Sequence, residues 1–203
     1  MKNSRPIILT TLGPSSLNGP VIEKLSERGV SYFRINMSHT NIDQLQDAIS
    51  TIRKYSNTKI CIDSEGAQIR TAVMPDGIYF NDRQIINLSD KNIGDTNTIG
   101  LWPNEVFQNI KVGNILTVDF DSLLLSVISV TNKEVKALVI NGGSVGSNKA
   151  VTIFPSSKLP PLSQKDCDAI NIGLENGVKD FALSFTNSAT DVKKMRKLVG
   201  NNS

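Results

Sequence analysis

Three short polar segments follow apolar runs near the start of this chain. They are Thr11-Leu12-Gly13-Pro14-Ser15-Ser16, Arg34-Ile35-Asn36-Met37-Ser38-His39, and the longer Asp63-Ser64-Glu65-Gly66-Ala67-Gln68-Ile69-Arg70-Thr71. In the second, a period of two sends Arg34, Asn36 and Ser38 to one side and Ile35 and Met37 to the other. A guanidinium, an amide and a hydroxyl then converge, and such a face can hold a phosphate and a cation together. Arginine suits the phosphate because its planar, permanently charged fork donates two parallel hydrogen bonds, which lysine cannot copy. Hard cations take amide, hydroxyl, carboxylate and carbonyl oxygens, and the Asp63-Ser64 pair adds more of these. An isolated arginine at a strand end is more often a surface ion pair, and an isolated aspartate a turn former. The Arg-x-Asn-x-Ser face is what favours a site here.

Composition excludes several other classes. A single histidine, His39, rules out multi-histidine metal centres and leaves a nucleophilic triad only one possible base. The two cysteines, Cys61 and Cys167, have no C-x-x-C spacing, so neither a disulfide framework nor a zinc site is expected, and a reducing cytoplasm is the natural setting. A formal charge of +3 is spread along the chain without clustered Lys/Arg and interleaved aromatics, which argues against a nucleic-acid partner. No apolar run reaches the roughly 20 residues of a membrane span. The segment Met1 to Pro6 has no apolar signal region behind its charges.

The elements that must position these residues read as strand and helix in alternation. Ile7 to Leu12 predicts a strand, Pro20 a first helical turn with Val21, Ile22 and Leu25 on one face, and Gly29 a stop. Val30 to Met37 predicts a second strand. Asn41 caps a helix whose Leu45, Ala48, Ile49 and Ile52 recur at helical spacing, and Lys59 to Asp63 makes a third strand. From Arg70 to about Phe154 the pattern becomes short β-rich runs, including Gln84 to Leu88, Ile115 to Val118, Leu123 to Val130 and Val135 to Ile140. A capping box at Ser163 and Asp166 opens another helix, ended by Gly177. Val178 to Phe185 predicts a fourth core strand, before a last helix with Val192, Met195, Leu198 and Val199 on one side. The expected fold class is α/β: a partial (β/α)8 TIM barrel with an inserted small all-β barrel domain. The expected domains are 1–69 and 157–203 for the β/α part and 70–156 for the insertion.

In order and spacing, the three polar segments resemble the pyruvate kinase signatures TIGPAS, ARLNFSHG and DTKGPEIRT. Asn141 to Lys149 (NGGSVGSNK) resembles that family's NGGxLGSxK, Leu159 to Asp166 its LPxLSxKD, and Phe181 to Val192 its FASFxRxxxDV. The resemblance implies transfer of a phosphoryl group from phosphoenolpyruvate to ADP, giving ATP, as a step of glycolysis. It implies that Arg34 clamps the phosphoryl group. It implies that Asn36, Ser38, Asp63 and the Ser64 carbonyl hold potassium, and that Pro14, His39, Arg70 and Lys149 border the nucleotide phosphates, Arg70 from the barrel and Lys149 from the inserted lid. Magnesium is implied too, but the family's magnesium-binding Glu and Asp and its catalytic lysine lie on strands five and six, beyond Ser203. The expectation is therefore a chain inactive by itself, its half barrel covered by self-association or by a complementary chain.

Departures from the family pattern bear on that expectation. Glu65-Gly66-Ala67-Gln68 stands where the family has Lys-Gly-Pro-Glu, and the neutral Gln68 argues against potassium dependence by removing a negative charge near the cation. Asp119-Phe120-Asp121 replaces an Asp-Asp-Gly turn, where Asp121 meets a positive φ that glycine tolerates, and Asn187 replaces an arginine. These substitutions favour an alternative, a non-catalytic module that binds a phosphorylated metabolite or nucleotide. A third possibility is a structural protein pairing through its sheet edges. Ser184 and Phe185 suit packing as well as a site, and Cys61 reads as core.

Overall fold

A computed structural model describes residues 6–155 and 159–200. Most of the Met1 to Pro6 segment and the expected boundary at 156/157 lie outside the described residues. The chain begins with β1 (Leu9–Thr11), α1 (Gly19–Glu27), β2 (Tyr32–Asn36), α2 (Ile42–Tyr55) and β3 (Lys59–Asp63). The next strands are β4 (Ile69–Thr71), β5 (Tyr79–Phe80), β6 (Ile85–Ser89) and β7 (Thr98–Trp102), then a short 3-10 turn at Asn104–Gln108. After it come β8 (Ile115–Val118), β9 (Leu123–Val130), β10 (Val135–Asn141), β11 (Gly143–Ser144) and β12 (Ala150–Phe154). The last elements are α3 (Gln164–Glu175), β13 (Asp180–Ala182) and α4 (Ala189–Val199). They form two compact units, one of Met1–Ala67 with Pro160–Ser203, the other of Gln68–Leu159.

The first unit is a parallel sheet in the order β1-β2-β3-β13, with a helix after each of β1, β2 and β13 and α3 leading into β13. Alternation decides its faces. Phe33, Ile35 and Met37 are buried, and they pack with Ile22, Leu45, Ile49 and Ile52 from the helices. The helices start where side chains satisfy free backbone N–H groups. The Asn18 side chain accepts from Val21 N, and the carboxylate of Asp166 accepts from Ser163 N at 2.9 Å while Ser163 Oγ accepts in return. On α4 the buried stripe is narrower than its apolar content suggests: Met195 and Val199 are buried, whereas Val192 and Leu198 stay exposed. Leu198 is a helical step of about 100° from Val199, so one stripe cannot hold both. No helix of the described residues is long and apolar enough to cross a membrane.

The second unit is a closed seven-stranded barrel in the order β10-β6-β7-β4-β12-β8-β9, with β11 and β5 as a side ribbon. All the barrel pairs are antiparallel except β6 with β7. Its inward positions, among them Ile86, Ile99, Leu101, Leu116, Leu125 and Ala137, are almost completely buried, so the barrel is a packed core. The β8–β9 turn holds three successive non-glycine residues at positive φ, Asp119 at 50°, Phe120 at 53° and Asp121 at 70°. Each such residue costs about 1–3 kcal/mol. Gly143 is required by close approach, because a Cβ there would lie 1.7 Å from the Ser122 carbonyl oxygen.

Gly143→Ala is expected to destabilise the second unit by about 3 kcal/mol through overpacking against that turn. Urea unfolding followed by Trp102, the sole tryptophan, reports this unit. An unshifted midpoint would show that the turn moves aside freely.

Candidate functional site

The rim of the first unit is built by strand register. β2 pairs in parallel with both neighbours, so Arg34 is the register partner of Thr11 and of Cys61, and Asn36 of Asp63; Asp63 in turn pairs with Ala182. Side chains at these C-terminal strand ends meet across the sheet. The Arg34 guanidinium donates from both Nε and Nη2 to Asp63 Oδ2, the Nε bond being 2.9 Å long, and from Nη1 to Thr11 Oγ1 at 2.7 Å. The other Asp63 oxygen accepts from Ser184 Oγ at 2.9 Å, and the Ser184 N–H donates to Ser64 Oγ at 3.0 Å. A buried carboxylate is tolerable only when paired and hydrogen-bonded, and Asp63 is both, with 4 % of its surface exposed. Of the five N–H donors of Arg34, two remain without a partner among the described residues.

Asn36 Oδ1 accepts from Ser38 N at 3.1 Å, an Asx-type bond that holds the turn after β2. The same turn places His39, exposed, on the edge of a cleft of about 500 Å³ lined also by Pro14, Asn36, Thr11 and Gln44. Pro14, from the loop after β1, and Asn36 and His39, from the turn after β2, therefore share one cavity. Arg34, Asn36, Asp63 and Ser64 form the adjoining rim. Asn36 belongs to both.

A second network fixes the loop after β3. The Asp166 carboxylate accepts from Glu65 N at 2.7 Å, Gly66 N at 3.2 Å and Ser163 N, and is 1 % exposed. Lys165 Nζ donates to Glu65 Oε1 at 2.9 Å and to the Met37 carbonyl at 2.6 Å, tying the loops after β2 and β3 together. Gly66 sits at φ +71°, and a Cβ there would meet the Ser184 carbonyl oxygen at 2.2 Å. Sequence reasoning missed Thr11, Lys165 and Glu65 as working parts and left Ser184 undecided. The only signal available was the polar character of their segments, because their partners are tens of residues away.

Cys61 lies beneath this rim, and its thiol is pushed up to about 11, first by burial and then by the Asp63 and Asp180 carboxylates, with Arg34 acting in the opposite direction. It is a buried, neutral thiol at ordinary pH.

The insertion expected at 70–156 includes Arg70, although the resemblance gives Arg70 a role from the barrel; Arg70 lies on β4, and Gln68 and Ile69 belong to the same second unit. Residues 69–71 alternate in burial and pair with β7 and β12, so a strand of the β barrel begins within the polar segment. Arg70 and Lys149 therefore belong to one unit. Arg70 Nη1 donates to the Asn148 carbonyl at 3.2 Å, and Lys149 Nζ pairs with Asp119 Oδ2 at 3.0 Å. The Gln68 amide donates to the Ile69 and Val151 carbonyls at 2.9 and 3.0 Å, bonds a carboxylate could not make.

A parallel β/α sheet with a polar rim at its C-terminal strand ends, interrupted after its third strand by a closed β barrel, defines a β/α-barrel protein with an inserted β domain. The pyruvate kinase barrel-domain family matches residues 3–203, and the chain belongs to the pyruvate kinase family. It is 32% identical over 208 residues to a pyruvate kinase of Sporosarcina psychrophila, covering 96% of this chain and 35% of that protein. It is 30% identical to a pyruvate kinase of Aeropyrum pernix, with 95% and 42% covered, and 30% identical to plastidial pyruvate kinase 3, chloroplastic, of Arabidopsis thaliana, with 93% and 34% covered. The chain thus spans between about a third and two fifths of the length of these relatives.

Asp166→Asn is expected to destabilise the first unit by about 3 kcal/mol, since a neutral amide replaces a charged acceptor of three N–H groups. Calorimetric unfolding checks it, and native-like stability would show that the loop after β3 is held elsewhere. In a Cys167→Ser background, Cys61 should resist iodoacetamide at pH 8 in the folded chain and react in urea, as mass spectrometry would record. Rapid labelling of the folded protein would contradict the raised thiol.

Proposed function

We propose that this chain supplies the phosphoryl- and nucleotide-facing half of a site for transfer between phosphoenolpyruvate and ADP. The observation that carries the reading is the Arg34 guanidinium, oriented by Asp63 and Thr11 with two donors remaining, beside the cleft shared by Pro14, Asn36 and His39. A guanidinium fixed in this way meets a phosphoryl group without losing further freedom, the condition for tight binding of developing charge. Arg70 and Lys149, both in the second unit, meet nucleotide phosphates on this reading.

The donor set proposed for potassium is entirely oxygen: the Asn36 amide, Ser38 hydroxyl, Asp63 carboxylate and Ser64 carbonyl. A single carboxylate, partly neutralised by Arg34, suits a monovalent better than a divalent ion, so these residues fit the group. Potassium there would supply positive charge toward the phosphoryl oxygens. Gln68 weakens dependence on it. Magnesium would come to the reaction with the nucleotide, held in part by residues other than those named here.

Specific observations also favour the non-catalytic reading, a module that binds a phosphorylated metabolite or nucleotide. Lys165 is already paired with Glu65 in the first unit, and Lys149 with Asp119 in the second, so a cation of each unit carries a carboxylate partner. An apolar groove of about 540 Å³ in the first unit, lined by Ile7, Leu9, Val192 and Met195 among others, supports coverage by a second copy or a complementary chain. Two free cysteines are consistent with a reducing cytoplasm, while the chloroplastic name of one relative makes a plastid the alternative.

Calorimetric titration of the full chain with phosphoenolpyruvate and with ADP tests the reading. Binding should be measurable, and Arg34→Lys should weaken phosphoenolpyruvate binding about tenfold while sparing ADP. No binding of either ligand, or an unaffected Arg34→Lys, would sink it. A coupled assay for pyruvate, with magnesium present and potassium present or omitted, separates the enzyme from the binding module.

A further inference from the structure

Thr71 is fully buried, and every hydrogen-bonding group it has is engaged by one loop. Its N–H donates to the Lys149 carbonyl at 2.8 Å, and its carbonyl accepts from Asn148 N at 3.0 Å. Its hydroxyl donates to the Gly146 carbonyl at 2.7 Å and accepts from Lys149 N at 2.8 Å. A hydroxyl does both at once only if one partner lies along its O–H and the other faces a lone pair, so the loop backbone is fixed in place and in direction. Ser147 adds a second staple, its hydroxyl bonding both the N–H and the carbonyl of Met74. Asn148 within the loop holds φ +57°, a conformation that persists only where its surroundings impose it.

The residues on either side of these bonds are the cations. Arg70 precedes Thr71 and donates to the Asn148 carbonyl, while Lys149 carries two of the four Thr71 bonds on its backbone. We propose that Thr71 is a positioning residue: its buried hydroxyl sets the 146–149 loop so that Lys149 and Arg70 are presented together to an oligophosphate. This rests on the reading that Arg70 and Lys149 face nucleotide phosphates. Serine keeps the hydroxyl and valine keeps the shape, so the two substitutions separate the hydrogen bonds from the packing.

The experiment uses the full chain with two probes, ADP and inorganic pyrophosphate. Trp102, the register partner of Arg70, supplies the fluorescence signal. Thr71→Val should weaken pyrophosphate binding about tenfold, and Thr71→Ser should stay within about twofold of the native chain. Thr71→Val combined with Lys149→Met should bind more weakly than Lys149→Met alone, but by less than the roughly tenfold that Thr71→Val costs in the native chain, since the two changes share one cation and only Arg70 remains to be misplaced. Amide exchange provides a readout without ligand: the Asn148 and Lys149 amides should be protected in the native chain and in Thr71→Ser, and released in Thr71→Val. Native-like binding by Thr71→Val, or losses that multiply in the double variant, would overturn the inference while leaving the phosphate reading intact. A native chain that answers to neither probe overturns both. If Thr71→Val does not fold, the native chain decides, because Asn148 and Lys149 amides exchanging as fast as the exposed 131–134 turn would exclude the clamp.

Discussion

The architecture of the rim depends on one carboxylate. Asp63 lies at the end of β3, almost wholly buried, and its two oxygens take Arg34 from β2 and Ser184 from the segment after β13. Arg34 in turn reaches Thr11 at the end of β1. A single chain of side-chain bonds therefore crosses all four parallel strands at their C-terminal ends. A charge in that position is stable only because the guanidinium compensates it, and the guanidinium has one orientation only because the carboxylate is there. Backbone pairing holds the strands along their length, whereas this chain of bonds aligns their ends, where chemistry on a β/α fold is done.

Differences from the family pattern look like losses in the sequence, but in the structure Glu65, Gln68 and Asn187 have local partners. Glu65, at a position where related signatures carry lysine, pairs with Lys165 and so helps to join two loops. Gln68, in place of glutamate, donates to two carbonyls that a carboxylate would repel. The β8–β9 turn retains its left-handed course without glycine, and its Asp119 is bonded to Lys149. The substitutions thus redistribute charge within each unit and leave no isolated buried ion among these residues. These pairings agree with the fold around them, one level of structure supporting the next.

Periodicity carried much of the fold. The strands Lys59–Asp63, Ile115–Val118 and Leu123–Val130 lie where alternation places them, and the Ser163–Asp166 box opens α3 as its spacing requires. The convergence of Arg34 and Asn36 on one face was also legible, because it follows from a period of two within one strand. The rest depended on long-range register. The change of pattern near Arg70 was legible, but nothing in the unbroken polar segment shows that Gln68 and Ile69 already belong with the second unit. Thr71 and Asp166 act through partners roughly 75 and 100 residues distant, and nothing local distinguishes such a threonine or aspartate from a turn residue.

The closed barrel has one more property, set by which strands carry its ends. β4, its first strand, and β12, its last, are hydrogen-bonded neighbours, with Ile69 opposite Val151 and Arg70 opposite Ala150. Entrance and exit are thus side by side, and the whole excursion of the polypeptide begins and finishes at nearly the same point in space. A module with such a doorway can be lengthened, trimmed or exchanged for another without stretching the scaffold that hosts it, which is the geometry that makes domain insertion tolerable in evolution.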